Sequence, residues 1–242
     1  MPTPATSRAS SNRVAALDMP VTNNRKLPGL HQEARTANDT SSSPLSLPGV
    51  SELSWWLAPH PDWEPSEDWP EEVPVVRFET DAEIVLIDPF LPPDATIDPH
   101  GKPIRVLLTQ GAHYRGTADF VDRYGASVWA PPRAAWRKIP NPATTDELPR
   151  GIEAIELDGE PQQVVFFIGE HATLVSGDVL SGTGGRLHVF VDEADPERLL
   201  ASLDALGDLP IERVIIPHGD LILSDGAARI RAAVAEARRG AD

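Results

Sequence analysis

An α/β fold with a mixed sheet follows from three features of the 242-residue chain. β-branched and apolar runs of strand length recur from residue 73 to residue 217. Two of them lead directly into segments of helical periodicity. Others follow one another at hairpin spacing, and strand runs mixed with βα units give a mixed sheet covered by helices.

The elements follow in order. "VPVVRFET" and "EIVLID" are strands separated by Asp81-Ala82, a hairpin signal. "IRVLLT" is an apolar strand. "GTADFVDRYG" follows it as a short helix, with Thr117 as its expected N-cap and Gly125 as its stop. "ASVWAP" is the next strand. "IEAIEL", "QQVVFFIG" and "ATLVSGD" come at hairpin spacing, with Gly169-Glu170 in one turn. In "DPERLLASLDALG", Asp195 caps a helix, Pro196 suits its first position, and Leu199, Leu200, Leu203 and Leu206 share one face. "ERVIIPHG" is a strand ending in a polar turn, and "SDGAARIRAAVAEARRG" is a final helix stopped by Gly240.

Composition narrows the function. The net charge is −16, from 37 acidic and 21 basic residues. Nucleic acids and anionic membranes select basic surfaces, so neither is an expected partner. With no cysteine, disulfides and thiolate metal sites are excluded. No apolar run nears the roughly 20 residues that span a bilayer, and "VAAL" is too short for a secretory core of about 7–15 residues. A cytoplasmic protein is the expectation. Residues 1–47 are rich in Ser, Thr, Pro and Asn, with five Lys/Arg and three Asp/Glu. Such a segment buries too little apolar area to fold, so it is expected to be a disordered tail before a single domain, residues 48–242.

Polar residues gather at three strand ends: Gln110, His113, Tyr114 and Arg115 after "VLLT", Asp178 after "LVSG", and His218 after "VIIP". Loops at strand ends converge on one crevice in layered α/β folds, so these six residues are the expected cleft. Trp55, Trp56, Trp63 and Trp69 are expected to pack a flap onto the body, the alternative being a pocket wall. "SGTGGR" lacks a P-loop lysine and reads as a mobile loop. Ser181 has no evident base. His60, His100, His171 and His188 read as surface residues.

In this order, the motifs resemble the metallo-β-lactamase fold superfamily, from about Val73 to the final helix. "EIVLIDPF" resembles its early strand ending in a buried Asp, here Asp88. "RVLLTQGAHYRGTADF" resembles its metal loop, "HATLVSGDVL" the strand of its bridging Asp, and "RVIIPHGD" its closing strand. The resemblance implies an αββα sandwich with mixed sheets and a site along one sheet edge. The family's loop reads His-x-His-x-Asp-His after a Thr. With Thr109 on that Thr, Gln110, Ala112, Tyr114 and Arg115 take the four ligand places, and His113 falls on a spacer. Gly159 takes the place of the next ligand, a His. Only Asp178 and His218 keep ligand identity.

Zinc takes three protein ligands plus water at a catalytic site, and a guanidinium repels it. No cofactor is therefore expected, and no residue is assigned a catalytic role. The reading is a pseudoenzyme with a degenerate zinc site, binding a small ligand or a protein. Arg115 is expected to pair with Asp178 in place of the metal. The alternative is a hydrolase of esters, thioesters or lactones, using a His-Asp pair or one zinc or other divalent ion on His113, Asp178 and His218, with His113 swung inward.

Overall fold

The computed structural model describes residues 53–240 except 61, 68, 92–94, 134–142, 145–146 and 191–194, together with the short strand Leu45–Ser46. The expected tail, residues 1–47, otherwise lies outside the described residues.

Among the described residues, seven strands form the first sheet in sequence order. They are β1 (Leu45–Ser46), β2 (Leu53–Pro59), β3 (Glu72–Glu79), β4 (Ile84–Ile87), β5 (Ile104–Leu107), β6 (Ser127–Trp129) and β7 (Ala143–Thr144). Pairing is antiparallel from β1 to β4 and parallel from β4 to β7, so the sheet is mixed. The second sheet contains β8 (Ile152–Glu156), β9 (Val164–Ile168), β10 (Thr173–Val175) and β13 (Arg213–Ile215), in the order β13-β10-β9-β8. Its β10–β13 pair is parallel and the others antiparallel. A separate hairpin joins β11 (Leu180–Thr183) to β12 (Arg186–Val189).

Alternation along the strands builds the layers. In β4, Val85 and Ile87 point between the sheets, where they meet Phe166, Ile168 and Ile215. Ile84 and Leu86 point the other way, onto Phe120 of α1 (Thr117–Tyr124). All four are buried, hence the unbroken apolar run. The outer face of the second sheet, including Val165, Leu174 and Val214, packs on α2 (Pro196–Leu206) and α3 (Gly226–Gly240) through Leu199, Leu203, Ile230 and Val234. The layers run α1, sheet, sheet, α2 with α3: an αββα sandwich.

Most expected boundaries hold within a residue or two. Asp195 caps α2 through Arg198 N–H, Pro196 opens it, and its four leucines are buried. Gly125 ends α1 in the left-handed conformation, φ 64°. Three readings need correction. Thr117 is not the cap of α1 but its first residue, buried with Oγ1 unpartnered, and Gly116 is the cap because its Cβ would press to 2.9 Å from Phe90 Cα. "SGTGGR" is hairpin rather than loop, since Gly184 and Gly185 (φ 60° and 74°) supply the turn between β11 and β12. The tryptophans also divide. Trp55 and Trp56 lie in β2 and are buried on opposite faces of the first sheet, while Trp69 lies in the loop before β3.

Candidate functional site

The site is assembled from the ends of β4, β5, β10 and β13. Asp88 follows β4 with φ 48°, a strained conformation for a residue with a side chain. Its Oδ1 accepts the Thr109 N–H at 2.9 Å, and its Oδ2 accepts the Thr109 hydroxyl at 2.6 Å. Thr109 leads into a 3-10 turn, Gly111–Tyr114, which carries His113. His113 Nδ1 lies 2.8 Å from Asp88 Oδ2 and 2.9 Å from Thr109 Oγ1. The ring is thus fixed from behind, and its other nitrogen faces forward.

Asp178 stands in front of it. A 3-10 turn, Gly177–Val179, follows β10, and Gly177 (φ 57°) brings this turn against Thr109, where a Cβ would meet Thr109 Oγ1 at 3.1 Å. Gln163 Oε1 accepts the Asp178 N–H at 3.3 Å. The Asp178 carboxylate lies 3.1 Å from His113 Nε2 and 3.2 Å from His218 Nε2, and the Gln110 side-chain amide donates to it. His218 comes from the turn after β13. Its Nδ1 is buried and unpartnered, and the Trp69 ring stands edge-on at 4.6 Å.

Of the six expected cleft residues, Gln110, His113, Asp178 and His218 meet in one hydrogen-bonded cluster. His113, the expected spacer, is buried and inward-pointing, whereas Ala112 is exposed. Tyr114 packs toward the core on the α1 side. Arg115 lies nearby at a strained φ of 21°, its guanidinium 5.6 Å from the Phe90 ring centre. Its expected ion pair with Asp178 does not form, because the two imidazoles and the Gln110 amide already occupy the carboxylate. Arg115 Nη1 is buried with no hydrogen-bond partner.

Gly159, in the turn between β8 and β9, packs against the start of α2, where a Cβ would lie 2.5 Å from Asp195 O. The residue that reaches the site from that stretch is Gln163. His60 is not the expected surface residue. It is half-buried against Trp69 and Phe90, at 5.0 and 6.1 Å between ring centres. Nothing in its local sequence signals this, since Trp69 and Phe90 reach it from other loops. His100 is exposed, and His171 and His188 are half-buried.

Protonation is coupled to this packing. Burial, the largest effect, and then the Arg115 charge oppose charge on His113, but Asp88 and Asp178 together outweigh them and raise its pKa. Burial likewise opposes charge on Asp178, yet His113 and then His218 hold its carboxyl far below the usual range. Burial first, then the Arg115 charge, lowers His60 to about 4. The signs set the pH response. His60 contributes stability above about pH 6.5, and this is lost as pH falls from there toward 4. The Asp178 contribution is lost as pH falls below the unfolded value of about 3.9. That of His113 is complete below about pH 6.5 and is lost as pH rises through its raised folded value. Urea unfolding across pH should therefore show stability falling on both sides, and His60→Gln should flatten the limb between pH 6.5 and 4. An unchanged limb would refute the assignment.

Among the described residues, His113, Asp178 and His218 could hold one ion, with donor atoms all within 4.8 Å of one another. Donors of a tetrahedral zinc with bonds of about 2.0–2.2 Å stand about 3.3–3.5 Å apart. The two His–Asp separations are near this. Asp88 behind His113 is the kind of partner that orients a ligating imidazole. Among the described residues a second ion has no comparable donors, because Ala112 cannot ligate and Arg115 is a cation.

The layers and the strand-end cleft define the class, an αββα sandwich with its polar site along one sheet edge. The chain has the metallo-β-lactamase fold. It is similar to a metallo-β-lactamase from Pontibacter korlensis, with TM-score 0.60 and 15% identity over 80% of this chain and 98% of that one. A metallo-β-lactamase from Hirschia baltica gives 0.56 and 17% over 81% and 96%. VMB-1 gives 0.58 and 11% over 83% and 98%. No family model and no curated protein sequence matches the chain. Among the described residues, no helix is long and apolar enough to cross a membrane.

Proposed function

We propose that the protein is a non-hydrolytic member of this fold that binds a small ligand in the cleft over Asp178 and His218. One observation carries the reading: His113 is held between two carboxylates, with Asp88 at 2.8 Å from one ring nitrogen and Asp178 at 3.1 Å from the other. Ionised carboxylates only accept, so in this reading both nitrogens donate and the ring is an imidazolium. A cation then stands where an ion-binding site needs a free lone pair. The adjacent Arg115 adds a second positive charge against a dication. The two-ion centre of the fold family does not fit this set, and no hydrolytic step is assigned.

The three convergent donors favour a second reading, a single-ion hydrolase. In it, His113 keeps its proton on Nδ1, toward Asp88. Its Nε2 lone pair then takes the Gln110 N–H, 3.1 Å away, or an ion. Such an ion supplies an acidified water, with a pKa of about 7 in favourable cases.

Metal analysis of protein purified without chelator, run beside an ester, thioester and lactone hydrolysis screen, separates the two. The expected result is less than a tenth of an equivalent of zinc, iron or manganese (about the background of such assays), with no turnover above that of Asp178→Ala. One tightly held equivalent, lost together with turnover in Asp178→Ala, would overturn the binding reading.

A further inference from the structure

The cleft has a volume of about 430 Å³, within the range of small-molecule sites. Two aromatic side chains wall it: Trp69, from the loop before β3, and Phe190, at the end of β12 and 56% exposed. Two carboxylates, Glu67 and Asp178, line it, and among the described residues no lysine or arginine does. Glu67 Oε2 accepts the Trp69 indole N–H at 2.9 Å, which fixes that carboxylate at the rim of the ring. Arg115, the nearest guanidinium, is turned to Phe90 and is not part of the lining.

Aromatic rings beside a carboxylate attract positive charge and repel anions. Asp178 is already bonded to His113 and His218, so Glu67 is the carboxylate of the lining that a ligand's charge would meet. An alkylated ammonium suits the aromatic and acidic side of this lining. Its charge lies toward Glu67, and its methyl groups touch Trp69 and Phe190 without requiring hydrogen bonds from them. The net charge of −16 draws cations toward the molecule at low salt. We propose that the cleft selects a small organic cation, a protonated or quaternary amine with apolar substituents. The proposal rests on the non-hydrolytic binding reading and names the ligand class of that site.

Three probes of nearly equal shape test it: choline, neutral 3,3-dimethylbutanol and anionic 3,3-dimethylbutanoate, each titrated calorimetrically into the full chain in chelator at low salt. Choline is expected to bind saturably and about tenfold or more tighter than the alcohol, with no binding of the anion. Glu67→Gln should weaken choline about fivefold and leave the alcohol unchanged. Trp69→Leu should remove the preference, while Trp69→Phe retains part of it. Near-ultraviolet circular dichroism and a urea melt establish that each variant is folded. Equal binding of choline and the alcohol, tighter binding of the anion, or no binding of choline would overturn the proposal. Metal content and turnover are read separately, so a failed ligand class and a failed non-hydrolytic reading give different results.

Discussion

Asp88→Ala is expected to destabilise the protein by about 3–5 kcal/mol, the usual result of removing one partner of a buried charge pair. Asp88 is 6% exposed and receives three bonds, from Thr109 N–H, Thr109 Oγ1 and His113 Nδ1. Its loss leaves a 3%-exposed imidazole beside a buried hydroxyl, with no countercharge behind them. Asp88→Asn keeps the shape and one acceptor, and should cost less. Urea unfolding gives the magnitude, and a double-mutant cycle with His113→Ala gives the coupling, expected above about 1 kcal/mol. A total cost below about 1 kcal/mol would show that the site is not pinned from behind, and would remove the main support for a charged His113.

Gly219→Ala is expected to cost more than about 4 kcal/mol or to prevent folding. Gly219 has φ 119°, and a Cβ there would lie 1.9 Å from Gly182 O. The contact is between two backbones, so no side chain can turn aside. It also carries the hydrogen bonds Gly182 N–H to His218 O and Asp220 N–H to Gly182 O, both 3.1 Å. These bonds clamp the turn bearing His218 onto the β11–β12 hairpin that lines the cleft. Gly184→Ala provides the comparison. At φ 60° with nothing near its Cβ, it carries conformational strain alone, about 1 kcal/mol. Urea midpoints for the two variants should therefore differ widely. Similar midpoints would mean that the turn yields easily and that His218 is held by other contacts.

Matching Thr109 to the family's loop put His113 on a spacer, because a linear alignment assumes the family's backbone path. Here the loop is the 3-10 turn Gly111–Tyr114, in which His113 is buried and Ala112 exposed. Once His113 lies between the acids, Asp178 has its countercharge, and Arg115 is left to stack on Phe90. Similarly, no local pattern marks Gln163 or His60 as neighbours of the site, since each arrives from a strand distant in sequence.

The sequence by itself determined the elements and their layers. Alternation in "EIVLID", the apolar face of "PERLLASLDAL", the Asp195 cap and the Gly125 stop are local signals with local physical causes. It also marked Asp88, Asp178 and His218, because a polar residue ending an apolar strand stands out without any partner in view. Only the tertiary structure decided which way His113 points, what accompanies Asp178, and that Trp69 rather than Trp55 or Trp56 walls the cleft. Side-chain direction in a turn depends on a few backbone angles, and the competition for a buried carboxylate depends on distances across the fold. Neither quantity is written in the spacing of residues along the chain.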